Sequence, residues 1–198
     1  MKDSPNRKKE SLKALFQIAE SQEGLFTAKQ AIDCGFDERN HPYHVKQGNW
    51  VRELRGIYRL KNFPYRDDSQ FVLWYLWSRN KKDIPQGVYS YETALSIYDL
   101  TDLMPMKLHM SVPKSFRRHS KIPKVLVLHF ENVSQTDTRK LRGFFVTTPF
   151  RTISDLIQRG TSDEIIIKAM KEAVNRGLIT RKEHRKLETL KERQNEKI

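Results

Sequence analysis

The sequence predicts an α/β (α+β) protein with two domains joined by a linker. Residues 1–62 contain three helical segments followed by a pair of short strands, whereas residues 69–198 mix strands and helices along their length. Between them, residues 63–68 contain Pro64 in a polar stretch of sequence, a composition typical of a linker. With 198 residues, the chain is long enough for two small domains that each have a hydrophobic core.

The spacing of apolar residues and the helix-capping residues predict three N-terminal helices. Thr27 and Gln30 form a capping-box pattern at the start of a short second helix, and Gly35 ends it. Pro42 is tolerated only in the first turn of a helix, so the third helix is predicted to begin near residue 40 and to stop before Gly48. Apolar residues at helical spacing predict the first helix, over about residues 6–21: Leu12, Leu15, Phe16 and Ala19.

A β-hairpin is predicted next, with strands at residues 50–53 and 57–60 and a glycine-containing turn at residues 54–56. Three helices followed by a hairpin is the order of a winged helix-turn-helix. Alternation places Tyr58 and Leu60 on the face that packs on the helices, and Arg55 and Arg59 on the opposite face. The predicted fold is therefore an N-terminal winged helix-turn-helix followed by a mixed α/β C-terminal domain.

The C-terminal domain is predicted to begin with a buried helix in SQFVLWYLWSRN, then a strand at residues 88–89 and a helix from about Tyr91. MKLHMSVP and KVLVLHFE alternate like strands and are separated by a basic segment that we interpret as a turn. GFFVTTP is predicted to be a third strand and FRTISDLIQRG a helix. Two capping boxes, Thr161 with Glu164 and Thr180 with Glu183, predict the last two helices.

The net charge of +13 is unevenly distributed: it is +5 over residues 1–66, −3 over residues 67–106 and +7 over residues 107–142. Two basic blocks separated by an acidic one indicate two surfaces for a polyanion such as nucleic acid. The alternative for the second block is a loop kept soluble by its charge. The second basic surface is predicted to consist of Lys114, Arg117, Arg118, Lys121 and Lys124.

In a helix-turn-helix, the second helix of the motif reads base edges in the major groove while other elements contact phosphates. Some of the residues that face DNA in this prediction could instead pack on the body of the domain, Tyr43 and His44 above all. The third helix and the hairpin supply the predicted DNA-binding residues: Arg39, Asn40, His41, Tyr43, His44, Lys46, Gln47, Arg52, Arg55 and Arg59.

Catalytic patterns in the sequence are weak. There is no Walker loop, Gly-rich dinucleotide turn or nucleophile elbow. The sequence therefore predicts no enzyme activity, no bound cofactor and no metal. The polar residues that could assemble an acid–base site form no motif by their spacing: Glu92, His109, His129 and Asp155.

The single cysteine, Cys34, excludes an internal disulfide, and with His41 and His44 it would still lack a fourth metal ligand. No apolar run approaches the ~18–20 residues that span a bilayer. The N-terminus is charged and lacks the apolar stretch of a signal peptide. We therefore expect a cytoplasmic protein with no membrane partner.

Four segments are similar to a known family when they are taken in order. GLFTAKQAIDCGF, VKQGNWVRELRGIYRL, VYSYETALSIYDLTDLMP and VTTPFRTISDLI together resemble AbiEi-type antitoxins, the transcriptional regulators of bacterial type IV (abortive infection) toxin–antitoxin systems. The first two segments resemble the family's N-terminal winged helix, and the likeness covers most of the chain. Tyr91 stands where the family pattern has a histidine, which counts against a chemical role at that position.

The resemblance implies a repressor of its own operon that binds double-stranded DNA at inverted repeats. It also implies that the C-terminal domain antagonises a nucleotidyltransferase-like toxin, directly or through the toxin's substrate. Two alternatives stay open: a winged-helix transcription factor without a toxin partner, and a nucleic-acid enzyme in residues 69–198 that the winged helix targets to its substrate.

Overall fold

The structure is a computed structural model that describes residues 5–64, 66, 68–118 and 121–196. The chain forms two compact units, the first made of residues 1–86 and 140–144 and the second of residues 87–139 and 145–198. The predicted mixed α/β class is confirmed. No helix among the described residues has both the length and the apolar character needed to cross a membrane.

The first unit combines four helices with a three-stranded antiparallel sheet in the order β1-β3-β2. A 3-10 turn at Glu38–Asn40 leads into its third helix. This arrangement is compatible with the predicted winged helix-turn-helix. The elements are α1 (Pro5–Ser21), β1 (Leu25–Thr27), α2 (Ala28–Asp33), α3 (His41–Lys46), β2 (Trp50–Leu54), β3 (Ile57–Leu60) and α4 (Ser69–Trp77).

Both faces of this sheet are buried. One face packs on α1, α2 and α3, where Tyr58 and Leu60 lie against the core as predicted. The core residues on that side are Leu15, Ala19, Phe26, Ala31 and Trp50. The other face carries the fully buried Leu25 and Ile57, and α4 packs against β1 and β3. The sheet therefore has no solvent-exposed face along β1 and β3.

The boundary between the two units differs from the predicted division into residues 1–62, 63–68 and 69–198. The first unit continues to Gln86 because α4 covers β1 and β3, so the predicted opening helix of the C-terminal domain belongs to the N-terminal unit. Of the predicted linker, residues 65 and 67 lie outside the described residues.

The second unit contains the remaining helices and most of a five-stranded sheet in the order β6-β5-β4-β8-β7. Residues 140–144, in the hairpin of β7 and β8, are grouped with the first unit. The elements are β4 (Val88–Tyr89), α5 (Tyr91–Ile97), β5 (Leu108–Val112), β6 (Leu126–Phe130), β7 (Thr138–Leu141), β8 (Phe144–Thr147), α6 (Pro149–Gln158), α7 (Asp163–Asn175) and α8 (Arg181–Asn195).

The predicted basic turn between two strands is wrong. β5 and β6 pair in parallel, with His109 opposite Val127 and Ser111 opposite His129. Parallel neighbours cannot be joined by a tight turn, because the chain must return to the starting end of the sheet. Residues 113–125 are therefore a crossover connection, of which residues 119 and 120 lie outside the described part.

Most of the predicted helix starts are confirmed, since they depend on local hydrogen bonds. Capping boxes are present at Thr27 with Gln30 and at Thr180 with Glu183. The box predicted at Thr161 with Glu164 is wrong, because α7 begins one residue later with Ser162 as its N-cap.

Adjacent isoleucines of α7 test how the second unit is stabilised. Ile166 is 1% exposed and Ile167 is 55% exposed. We expect Ile166→Ala to lower the free energy of unfolding by about 2–4 kcal/mol, because it removes buried apolar atoms and leaves a cavity. Ile167→Ala is the matched control and should change it by less than about 1 kcal/mol. Equal losses in urea unfolding of the two variants would contradict the placement of the α7 core face.

Candidate functional site

The N-terminus of α3 is built by local capping. Asp37 caps the 3-10 turn that precedes it, accepting a hydrogen bond from the Arg39 amide, and Pro42 occupies the first helical turn. Asn40, Tyr43, Lys46 and Gln47 are exposed, with Tyr43 at 59%. Four of the predicted DNA-binding residues of this helix are therefore accessible to a partner.

The histidines of α3 serve packing. His41 is 2% exposed, and its ring lies 5.2 Å from the Trp50 ring and 5.7 Å from the Tyr58 ring. His44 is half-buried and stacks on Trp50 at a centroid distance of 4.5 Å. Burial lowers the pKa of both imidazoles. The prediction that His41 contacts DNA is therefore wrong, whereas His44 packs on Trp50 and remains partly exposed.

Arg39 is exposed but already paired. Its guanidinium contacts the Asp37 carboxylate at 2.6 Å, and its side chain remains 87% exposed. Hydrogen bonds from Arg39 lower the pKa of Asp37 to about 2. A phosphate group would have to share or replace Asp37 to bind this guanidinium.

The three arginines of the hairpin differ in accessibility. Arg52 and Arg55 are exposed. Arg59 is only 17% exposed and pairs with Glu53 at 2.7 Å. It lies opposite Leu25, on the face away from Tyr58 and Leu60 as predicted, but α4 packs on that face, so Arg59 is not exposed as the predicted DNA contact requires. The sequence pattern could not identify this, because the covering helix lies outside the predicted domain.

A hydrogen-bonded clamp holds the hairpin turn. The Arg79 guanidinium donates to the carbonyls of Arg55 (3.3 Å) and Gly56 (3.1 Å) and pairs with Asp83 at 2.9 Å. Asp83 in turn accepts a hydrogen bond from the hydroxyl of Thr27, the N-cap of α2. The Gly56 carbonyl also accepts from the first amide of α2, that of Ala28, at 3.0 Å. The turn that carries Arg55 is therefore fixed to the start of α2.

The second basic surface is largely accessible. Lys114, Arg117, Lys121 and Lys124 are exposed, whereas Arg118 is half-buried. Arg117 donates to the carbonyls of Lys114 and Phe116, so its guanidinium is partly engaged with the local backbone. These residues all belong to the crossover connection between β5 and β6.

Polar side chains that are far apart in the sequence meet in the second unit. Nδ1 of His109 lies 3.1 Å from Nε2 of His129 and 3.1 Å from Oε2 of Glu92. Arg159 approaches the same Glu92 oxygen at 3.5 Å and covers the Tyr91 ring at 5.3 Å. These residues, together with Ser111, Glu131, Asp137, Arg151 and Asp155, are called the polar cluster.

The remaining members of the polar cluster are joined through Glu131 and Arg151. The Ser111 hydroxyl donates to Glu131 at 2.5 Å, and Arg151 lies 3.7 Å from the other oxygen of that carboxylate. Arg151 also donates to Asp155 at 2.7 Å and to Asp137 at 3.2 Å. Arg151 therefore connects Asp155 to Glu131 and to the rest of the cluster.

Burial favours the neutral form of both imidazoles of the cluster. Burial, reinforced by the neighbouring His109, lowers the pKa of His129 to about 4, and burial also lowers the pKa of His109. Burial and the nearby carboxylates raise the pKa of Tyr91 to about 12, so its phenol stays protonated. Neutral histidine beside carboxylate can accept a proton or a hydrogen bond from a ligand.

Tyr91 occupies a strained position, since it has a φ of +52° without being a glycine. Its ring lies 4.1 Å from that of His129, and its hydroxyl donates to Glu131 at 3.4 Å. The side chain thus bridges the two halves of the polar cluster.

The cluster was not predicted as a unit, although Glu92, His109, His129 and Asp155 were named as residues that could assemble an acid–base site. Parallel pairing of β5 with β6 puts His109, Ser111 and His129 on one face of the sheet, and Glu131 follows directly after β6. Alternation within each strand indicates which residues share a face, but only the register brings the two strands together. Among the described residues, no three His, Cys, Asp or Glu side chains converge in a way that could hold a metal ion.

No protein-family model and no curated protein matches the sequence. Among solved structures, the chain is similar to the crystal structure of the RV2827C protein from Mycobacterium tuberculosis, with 12% sequence identity and a TM-score of 0.48. The match covers 95% of this chain and 82% of the other. A likeness this weak carries no inference about activity.

Replacing Arg79 tests whether its hydrogen bonds hold the hairpin turn in place. Arg79→Ala removes the donor to two turn carbonyls and leaves Asp83 without its guanidinium, so we expect a local loss of about 1–3 kcal/mol. The readout is hydrogen exchange of the Ala28 amide and of residues 55–58, which should become faster. Lys81→Ala, at an exposed position, is the control. Unchanged exchange in the Arg79 variant would contradict the clamp.

The depressed pKa of His129 generates a pH prediction. Between about pH 6.5 and pH 4 the unfolded chain binds a proton at His129 that the native state does not, so the free energy of unfolding falls as pH falls through this window. His129→Gln should make the loss between about pH 7 and pH 5 smaller than in wild type. Urea unfolding at pH 7 and pH 5 measures the free energy of unfolding of both proteins. Equal losses in wild type and in the His129→Gln variant would refute the burial of a neutral His129.

Proposed function

We propose that the protein is a cytoplasmic DNA-binding transcriptional repressor rather than an enzyme. Its first unit acts as a winged helix-turn-helix, with α3 as the recognition helix and the β2–β3 hairpin as the wing. The observation that carries the proposal is the combination of exposed Tyr43 and Lys46 on α3, and exposed Gln47 at its C-cap, with exposed Arg52 and Arg55 on the hairpin.

The chemistry of these side chains suits their proposed roles. Gln47 and Asn40 can pair with adenine through two hydrogen bonds, and Lys46 with the acceptors of guanine. Arg52 and Arg55 would neutralise phosphates or enter a narrow minor groove beside the recognition helix. The clamp from Arg79 supports this assignment because it fixes the turn before any ligand binds, which reduces the ordering cost of binding.

We further propose that the repressor is the antitoxin of a type IV toxin–antitoxin system and antagonises a nucleotidyltransferase-like toxin, directly or through its substrate. Support comes from the two C-terminal segments that resemble AbiEi-type antitoxins. They form β4 with α5 and β8 with α6; the two strands pair in parallel at Tyr89 and Val146, and the two helices pack on each other. Tyr91, Glu92, Arg151 and Asp155 of the polar cluster belong to these segments.

The antitoxin proposal is tested by co-expression. The chain is produced together with a nucleotidyltransferase-like protein encoded beside it, and growth is compared with and without the chain. Restored growth is the expected result. A toxin that remains fully active, while the chain still binds its promoter, would leave the protein as a transcription factor without a toxin partner.

The polar cluster favours one second candidate, a nucleic-acid enzyme in the second unit. Nδ1 of His109 lies 3.1 Å from the Glu92 carboxylate and 3.1 Å from Nε2 of His129, an arrangement that can move protons. Cleavage of labelled RNA or DNA by wild type that is abolished in His109→Ala would establish this candidate. Equal residual cleavage by both proteins would identify a contaminant and reject it.

The hairpin provides a matched set of arginine variants. Arg52→Ala with Arg55→Ala should lower the slope of log affinity against log salt by roughly two units, because each lost phosphate contact removes about 0.9. Arg59→Ala is the control and should leave the slope unchanged, since Arg59 pairs with Glu53. Fluorescence anisotropy on promoter DNA across a salt series measures both. A reduced slope only in the Arg59 variant would contradict the assignment of the wing.

A further inference from the structure

Helix α1 carries an exposed stripe with opposite charges at its two ends. Lys8, Leu12, Phe16 and Glu20 follow each other at intervals of four residues, and all four are exposed. Leu12 is 56% exposed and Phe16 is 49% exposed, although Leu15 and Ala19 of the same helix are fully buried. Residues four apart lie on one side of a helix, so these four side chains form one continuous row.

A groove of about 540 Å³ lies beside the two apolar residues of the row. Leu12 and Phe16 form part of its wall, and the aromatic side chains of Phe36, Trp50 and Phe63 line it further. The first unit therefore presents an apolar helix ridge next to an apolar depression. Adjacent exposed apolar surface of this kind marks sites of protein association.

We propose that this stripe is a homodimer interface, in which α1 of one copy packs antiparallel against α1 of a second copy about a two-fold axis. Such an interface is isologous, so each contact occurs twice. An antiparallel pairing centred between Leu12 and Phe16 brings Leu12 of one copy against Phe16 of the other. The same symmetry brings Lys8 of one copy to Glu20 of the other.

The charges identify a second copy as the occupant and set its orientation. A parallel pairing would place Lys8 against Lys8 and Glu20 against Glu20, which is repulsive at both ends. The antiparallel pairing makes two opposite-charge contacts and buries four apolar side chains between them. A foreign partner would need no such symmetry in the order of lysine, two apolar residues and glutamate. A dimer goes beyond the proposed repressor, but its interface adjoins the proposed DNA-reading residues, since Lys8 and Leu12 line a pocket together with Asn40 and Tyr43. The dimer is therefore assayed in the absence of DNA.

The first arm of the test removes the apolar contacts in the full chain. Sedimentation velocity over a dilution series should show a monomer–dimer equilibrium for wild type. Leu12→Gln and Phe16→Gln should each raise the dimer dissociation constant by about tenfold or more. Ile167→Gln is the matched control, since Ile167 is 55% exposed and lies in the second unit. Circular dichroism confirms that each variant is folded.

The second arm exchanges the charges. Lys8→Glu and Glu20→Lys should each weaken the dimer, and the double variant should restore it, because the opposite-charge contacts are then present in reversed order. Glu10→Lys changes an exposed charge of α1 outside the stripe and should have no effect. A wild type that stays monomeric overturns the proposal and leaves the face for another partner. The proposal is also overturned if the dimer dissociation constant is unchanged in the stripe variants, or if the double variant dimerises more weakly than both single variants.

Discussion

The burial of both faces of the β1-β3-β2 sheet is the constraint on which the candidate DNA-binding surface depends. One face packs on the helices through Phe26, Trp50 and Tyr58, and the other is packed against α4. Because β3 is covered on both sides, the exposed arginines of the hairpin lie at its turn and on the edge strand β2. Arg55 and Arg52 are exposed for this reason, whereas Arg59 is drawn into an ion pair with Glu53.

The segment that follows α4 also connects the hairpin turn to the start of α2. The segment that follows this helix carries Arg79 and Asp83, and these two side chains connect the carbonyls of the hairpin turn to Thr27 at the start of α2. Half-buried ionic groups of this kind are costly unless their hydrogen bonds are made, and here each has several. The hairpin turn and the start of α2 are thereby held together, as the proposed DNA-contacting wing requires.

Features that depend on neighbouring residues could be predicted from the sequence. Features that depend on contacts between distant segments could not. The caps at Thr27 and Thr180 depend on hydrogen bonds within one turn, and the alternation of Tyr58 and Leu60 follows from strand geometry. His41 was predicted to bind DNA as a residue of the third helix, yet it is buried and its ring packs edge-on against the Trp50 ring. The domain boundary, the parallel pairing of β5 with β6 and the polar cluster all depend on tertiary contacts that no local pattern contains.

The central claim is that α3 reads DNA sequence through its exposed side chains, and selection of binding sites from a random duplex library tests it most directly. The full chain should enrich one preferred sequence, and Gln47→Ala should relax the preference at one position while the remainder of the site is retained. A variant of Lys81, exposed and outside α3, serves as the control and should enrich the wild-type sequence. No enrichment by the wild-type protein, or an identical site for Gln47→Ala and every other exposed variant of α3, would contradict the account.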